Sequence, residues 1–404
     1  MLLNVLPKLV SVQGLTVAHG LLFTFLATRF LDPETFGSLR YVMVLLPFFM
    51  LATLPSYDNL ILRESSSGAL LNLRQIWWTR GIFGLFTAIT FGLIVLCIRG
   101  RFAADILQGL VLIIFLLPFY ETTTGYKNYL IGVGLQKQIL NIQVRNKLIS
   151  IAILGVGILL VNFLEPTLFS FLLVFMLATT IPNFCSHAIL VFCRPSSALK
   201  TRKIFAREAI LTSFASGVWI ASYSLDKIIV AEELGAEALA YYSILMLIPL
   251  MTAQLIDGLI PFYYKKFFFG EAQFVNLQVV MVTSVLFLLV IGGYGFLAYT
   301  LYPYLFGDFY TYTLTLALFS GVVMATGSIE FFFIHYLYKG KKSRQILAYN
   351  LMSLVIVYIA LVFVVPSLNY VTVISVMGLK QLALPLIFFG LERMMFQNPI
   401  SLGK

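Results

Sequence analysis

Nine charged side chains interrupt stretches of this sequence that are otherwise apolar: the acids Asp58, Glu121, Asp226, Asp257 and Glu330, and the bases Arg145, Lys147, Lys227 and Lys380. Near the centre of a bilayer each such group costs at least ~2.5 kcal/mol, so each needs a chemical reason. Two kinds of chemistry would supply one. A base in a water-filled cleft lowers the barrier for an anionic headgroup, and arginine can hold phosphate oxygens in a bidentate way. A carboxylate withdrawn from water can take a proton or a sodium ion, because desolvation raises its pKa and makes its protonation respond to conformation. Arg29, Arg40, Arg63, Arg145, Lys227 and Lys380 are the candidates for the first role. Asp58, Asp226, Asp257 and Glu330 are the candidates for the second.

Each candidate also has a plainer reading. Lys380, followed by Gln381, lies too deep in its span to reach water and could form a structural pair with an acid such as Glu330. Arg145 and Lys147 fall in the polar run NIQVRNK, so their span could begin later. Asp226 and Lys227 are successive, hence expected on different sides of a helix and unable simply to neutralise each other. Lys227 could extend its stem to the outer surface. Arg29 and Arg40 could be interfacial, Arg63 topogenic, and Asp58 and Asp257 buried caps. Trp77, Trp78 and Arg80 read as an interfacial anchor. His19, His187 and His335 read as packing residues. Cys97, Cys185 and Cys193 lack paired spacing, so neither a disulfide framework nor a metal site is expected. No catalytic constellation and no cofactor is expected.

The elements that carry these residues are set by composition. Of 404 residues, 60% are hydrophobic and 11% charged, and the mean hydropathy is +0.96. A soluble domain carries about a quarter charged residues, so the expectation is an all-α polytopic membrane protein. Barrel strands would alternate polar and apolar residues over about ten positions, and that pattern is absent. Twelve spans are predicted: 9–30, 39–62, 81–98, 106–126, 138–161, 168–193, 208–231, 239–264, 277–300, 312–338, 346–365 and 369–390. They form two like-oriented six-helix lobes, 1–200 and 201–404. No removable signal peptide is expected at the N-terminus. Lysine and arginine concentrate in the loops after spans 2, 4, 6, 8 and 10, which predicts both termini cytoplasmic. Arg99 and Arg101 break that rule. The net charge of +10 follows this loop bias and does not point to nucleic acid.

The halves also share a motif. LDPETFGSLRYVMVLLP (31–47) has a weaker copy, LGAEALAYYSILMLIP (234–249), 203 positions later, with Leu31/Leu234, Glu34/Glu237 and Met43/Met246 identical in register. Duplicated bundles place their substrate site between the repeats. Prolines 47, 55, 249 and 261 predict that spans 2 and 8 are bent walls of one cavity.

ATRFLDPETFGSLRYVMVLL (27–46) and SLDKIIVAEELGAEALAYYSILMLIPLMTAQLIDGLIPFYYKKF (224–267) resemble two blocks of the Wzx-type polysaccharide-biosynthesis flippases, whose superfamily also holds the MATE drug exporters. Ala240 stands where the family's second block usually has glycine. The resemblance implies translocation of an undecaprenyl-diphosphate-linked oligosaccharide to the periplasmic leaflet of a bacterial cytoplasmic (inner) membrane, for O-antigen or capsule synthesis. The partners implied are the lipid-linked oligosaccharide, membrane lipid, and a polysaccharide polymerase and chain-length regulator. Two alternatives are a cation-coupled exporter of the same fold and a membrane-embedded glycan polymerase. The polymerase would need an acid and base constellation outside the membrane, which the short outer connections do not offer.

Overall fold

The computed structural model describes residues 6–49, 57–66, 72–121, 125–193, 206–252, 277–339, 343–364 and 369–396. Throughout them the chain is helix joined by short turns. The helices of the first half are α1 (Leu6–Phe30), α2 (Pro33–Phe49), α3 (Tyr57–Ser66), α4 (Leu73–Ile98), α5 (Ala104–Glu121), α6 (Gly125–Gly132), α7 (Gln136–Leu164) and α8 (Leu168–Cys193). Those of the second half are α9 (Ala206–Leu234), α10 (Ala236–Leu245), α11 (Leu277–Phe306), α12 (Leu314–Lys339), α13 (Ser343–Val364) and α14 (Tyr370–Phe396). Past a turn at Met246, residues 247–252 continue as helix.

Polar side chains start these helices where the sequence allows. The Asn72 carboxamide accepts from the Arg74 and Gln75 amides at the head of α4. Thr167 and Ser170 exchange bonds at the head of α8, as Asn369 and Thr372 do before α14. Each occupies backbone donors that a helix leaves unpaired. Asp32 caps α2, accepting from the Thr35 amide at 2.9 Å and the Thr35 hydroxyl at 2.7 Å. Partial burial pushes the Asp32 carboxyl upward, but the Thr35 bonds outweigh it and hold the group below its ordinary range.

Burial runs opposite to a soluble protein. On α4, Ile82, Leu85, Phe86, Ile89, Leu93 and Leu96 form an exposed stripe, while Arg80, Gly84, Thr87 and Ala88 turn inward. Phe115, Phe163, Phe363 and Leu386 are exposed, whereas Asp226, Glu330, Lys380 and Gln381 are buried. Apolar outside and polar inside is the arrangement for a hydrocarbon solvent. Among the described residues eight helical stretches are by themselves long and apolar enough to span it. The other four predicted spans are not among these eight. α9 carries six charged residues, α2 and residues 247–252 each adjoin residues outside the described ones, and span 10 contributes the apolar stretch Leu314–Gly327. Residues 50–56, between α2 and α3 in span 2, and 122–124, between α5 and α6 in span 4, lie outside the described residues, and the bend expected at Pro55 lies there too.

The duplication is visible in the packing. In the first half α1 packs on α7, α4 on α5, α5 on α8 and α7 on α8. The corresponding helices repeat this in the second half: α9 on α13, α11 on α12, α12 on α14 and α13 on α14. The halves meet mainly through α2 against α10 and α9, with α1 touching α11 and α3 touching α9. The two copies of the repeated motif therefore pack on each other. Gly37 makes this possible, since a Cβ there would lie 1.8 Å from the Ala236 carbonyl oxygen. In the second copy Gly235, at φ +91°, turns the chain from α9 into α10, a conformation that favours glycine. One apolar core runs through both halves, joining Phe36, Leu39 and Val42 to Leu239, Ile244 and Tyr310.

Candidate functional site

Four helices of the second half bring charge together in the interior. α9 contributes Tyr223, Asp226 and Lys227, α12 contributes Thr326 and Glu330, α13 contributes Tyr349, and α14 contributes Lys380 and Gln381. The Lys380 Nζ lies 2.7 Å from Glu330 Oε1 and 2.9 Å from Oε2, and the pair is 3% and 0% exposed. The Tyr349 hydroxyl donates to Glu330 Oε1 at 3.1 Å. The ammonium sits 4.4 Å from the centre of the Tyr223 ring, a favourable cation–π placement in a dry site. Gln381 completes the network, donating to the Tyr223 hydroxyl at 3.1 Å and accepting from Thr326 at 2.9 Å.

A second pair lies one turn along α9. Lys227 Nζ is 3.1 Å from Asp226 Oδ1 and donates to the Tyr223 carbonyl at 2.9 Å, and Tyr242 of α10 donates to Asp226 Oδ2 at 2.6 Å. This corrects the expectation that the two neighbours could not neutralise each other. Their Cβ atoms do diverge, but the four-carbon lysine stem folds back along the helix. Lys227 is also buried, 8% exposed, and does not extend to the surface. With two acids and two bases the cluster is formally neutral, which limits the cost of holding charge in hydrocarbon.

A small cavity adjoins the Asp226–Lys227 pair, lined also by Tyr223, Gln381, Met246 and Pro249 among others. Its inner wall is the break between α10 and 247–252. Pro249 has no amide to offer the Leu245 carbonyl. The Tyr294 hydroxyl of α11 donates to that carbonyl instead. The break is thus stabilised from outside its own helix, as membrane-buried prolines require.

The other candidates lie apart. Asp58 forms an ion pair with Arg80 of α4. Arg80 is 1% exposed, which corrects its reading as an interfacial anchor: its guanidinium turns toward α3 and the Tyr57 ring. Trp78 remains exposed on the surface. Arg145 donates to the Ser186 hydroxyl at 3.0 Å, beside an Asn146, Asn183 and Ser186 network between α7 and α8. α7 is continuous from Gln136, so both Arg145 and Lys147 belong to it. Arg29 donates to the Tyr304 carbonyl at 2.8 Å, and Arg40 to the Thr24 hydroxyl at 2.7 Å, both near the α1–α2 turn. Arg63 lies in α3 with its side chain outside the described residues, and Asp257 and the side chains of Glu121 and His335 lie outside them as well. His19 packs on Phe175 and His187 on Tyr126.

Sequence reading missed Tyr223, Tyr242, Tyr349 and Tyr294. Among 21 tyrosines and 37 phenylalanines, no local signal marks the few hydroxyls that face a carboxylate or a free carbonyl.

No curated protein matches the chain by sequence. Among solved structures it is similar to a multidrug resistance MATE family transporter of the MOP superfamily. The outward-facing conformation aligns at 13% identity over 96% of this chain and 94% of that one, TM-score 0.64. The inward-facing conformation aligns at 13% identity over 95% and 94%, also with TM-score 0.64. A MATE structure in complex with MaL6 matches at 12% identity over 96% and 94%, again 0.64. At these identities the likeness shows the fold, a transporter fold of membrane helices. The family model described as "Polysaccharide biosynthesis protein" matches residues 26–261, a stretch that runs through both copies of the repeated motif. The chain therefore belongs to this polysaccharide biosynthesis family, with the fold of a multi-pass membrane protein.

Proposed function

We propose that the protein is a flippase that moves undecaprenyl-diphosphate-linked oligosaccharide repeat units across the bacterial cytoplasmic membrane for surface polysaccharide synthesis. The family match over residues 26–261 carries this reading. The transporter fold and the basic side chains held inside the bundle support it, because an anionic headgroup needs positive charge along a path through hydrocarbon. The lobes 1–200 and 201–404 rock against each other along α2 and α10. With both termini cytoplasmic, the end closed by Gly37 on Ala236 is the periplasmic end. Lys227, at the cavity, is the base best placed to meet a headgroup, with Arg145, Arg63, Arg40 and Arg29 along the route. The cation-coupled exporter is the weaker reading, since Asp226 and Glu330 each already hold a lysine.

A clean deletion in a strain with no second flippase tests the function. The expected outcome is loss of the surface polysaccharide, with lipid-linked repeat units retained in the cytoplasmic leaflet. Normal surface glycan in that strain rules the function out.

A further inference from the structure

The Glu330 carboxylate is placed as a cation site is placed. It lies at 0% exposure on α12 and accepts from the Tyr349 hydroxyl at 3.1 Å. The aromatic face of Tyr223 closes one side, and Gln381 braces that ring through its hydroxyl. What fills the site is the end of Lys380, with both carboxylate oxygens within 2.9 Å of its nitrogen. An ammonium and a potassium ion are close in size and carry the same charge, and both favour carboxylate oxygen and an aromatic face.

We propose that Glu330 is a monovalent-cation site whose cation the chain supplies itself, the tethered ammonium of Lys380, and that shortening Lys380 opens the site to a free alkali or small alkylammonium ion. In the unaltered protein Lys380 excludes such ions, because a second cation would meet an already neutralised carboxylate with no water to screen the repulsion. Removing the stem beyond Cβ leaves a dry void beside an uncompensated carboxylate, which a small cation enters. The site is defined by binding, whatever the bundle transports; Glu330 and the Tyr349 hydroxyl remain in place as its oxygen ligands and the Tyr223 ring as its aromatic face.

The test is thermal unfolding of the purified full-length protein in detergent, in sodium, potassium, ethylammonium or choline chloride at equal ionic strength. The unaltered protein melts at one temperature in all four. Lys380→Ala melts lower in choline, and its melting temperature rises saturably with potassium, sodium or ethylammonium, by roughly 3 °C at about a hundred-fold excess over Kd. Adding Glu330→Gln to Lys380→Ala abolishes that rise, and Lys380→Met, which refills the void, shows none. If Lys380→Ala does not survive purification in choline, solubilisation with ethylammonium present throughout is expected to recover it, and failure to recover it there counts against the site. A Lys380→Ala protein that is folded yet indifferent to every cation overturns the proposal. So does an unaltered protein that sodium or potassium stabilises over choline through Glu330.

Discussion

A buried charge in this protein takes its partner from within reach of its own stem, and the partners decide what each charge can do. Lys380 spends its ammonium on both oxygens of Glu330 and the face of Tyr223. Lys227 shares its ammonium between Asp226 and a backbone carbonyl and still borders the cavity. Of the two, Lys227 is the one free to exchange partners with a ligand. At the surface the same logic is weaker and can be followed by pH. Asp32 holds the head of α2 through Thr35, and Asp32→Ala is expected to cost about 1 kcal/mol of stability at neutral pH. Its carboxyl is held below its unfolded value of 3.8. The stabilisation is therefore fully present above that value and is lost as the pH falls through the lower, folded value. Thermal unfolding of the two proteins should show a gap at pH 7 that narrows below about pH 4. A gap that widens on acidification would mean that Thr35 is not what Asp32 holds.

At the scale of the helix, the informative places are where backbone meets backbone. Gly37 lets α2 settle on Ala236 at the start of α10, a contact with no room for a methyl group. The break at Pro249 survives in hydrocarbon because Tyr294 donates to the Leu245 carbonyl. Tyr294→Phe removes only a hydroxyl from a buried ring and leaves that carbonyl without its donor. The expected loss is about 1–3 kcal/mol, read from the denaturation midpoint in detergent. Tyr302, whose hydroxyl is 3.3 Å from that of Tyr294, is the comparison: Tyr302→Phe leaves the carbonyl bond intact and should cost less. Equal losses from the two would show that the proline break does not depend on Tyr294.

At the scale of the whole molecule, two halves with recurring internal packing meet along the repeated motif, and the contacts at the α1–α2 end form a closure. Tyr41 of α2 donates to Glu232 of α9 at 2.6 Å, and Arg29 reaches the Tyr304 carbonyl of α11. Phe36 stands edge-on to Tyr310 at 6.4 Å. The polar contacts are exposed, so each is worth about 0–1 kcal/mol. That is a suitable strength for a closure that must open. With the three native cysteines replaced by serine, Phe36→Cys reports on this end, because Phe36 is 0% exposed in the closed arrangement. A membrane-impermeant maleimide should label it slowly, and roughly 2–10-fold faster once Arg29→Ala and Tyr41→Phe are added. An unchanged rate would mean that these two bonds do not hold the closure.

Sequence alone determined the class of molecule, the placement of most helices and the duplication. A bilayer imposes its thickness on each crossing and forbids unpaired backbone, so span length and composition are written locally. The predicted span 168–193 coincides with α8, and the copies at 31–47 and 234–249 were legible as residues before they were seen to touch. The candidate site was half legible. Glu330 and Lys380 stood out as charges in apolar runs, and their pairing was one of two readings. Only the tertiary structure chose it, set the aromatic and amide groups around it, and turned Arg80 inward to Asp58. The reason is the solvent. Where both the lipid-facing and the core-facing sides of a helix are apolar, the sequence carries little polar contrast to set which way the helix is rotated. A partner 50 residues away on another helix is found only once the helices have packed.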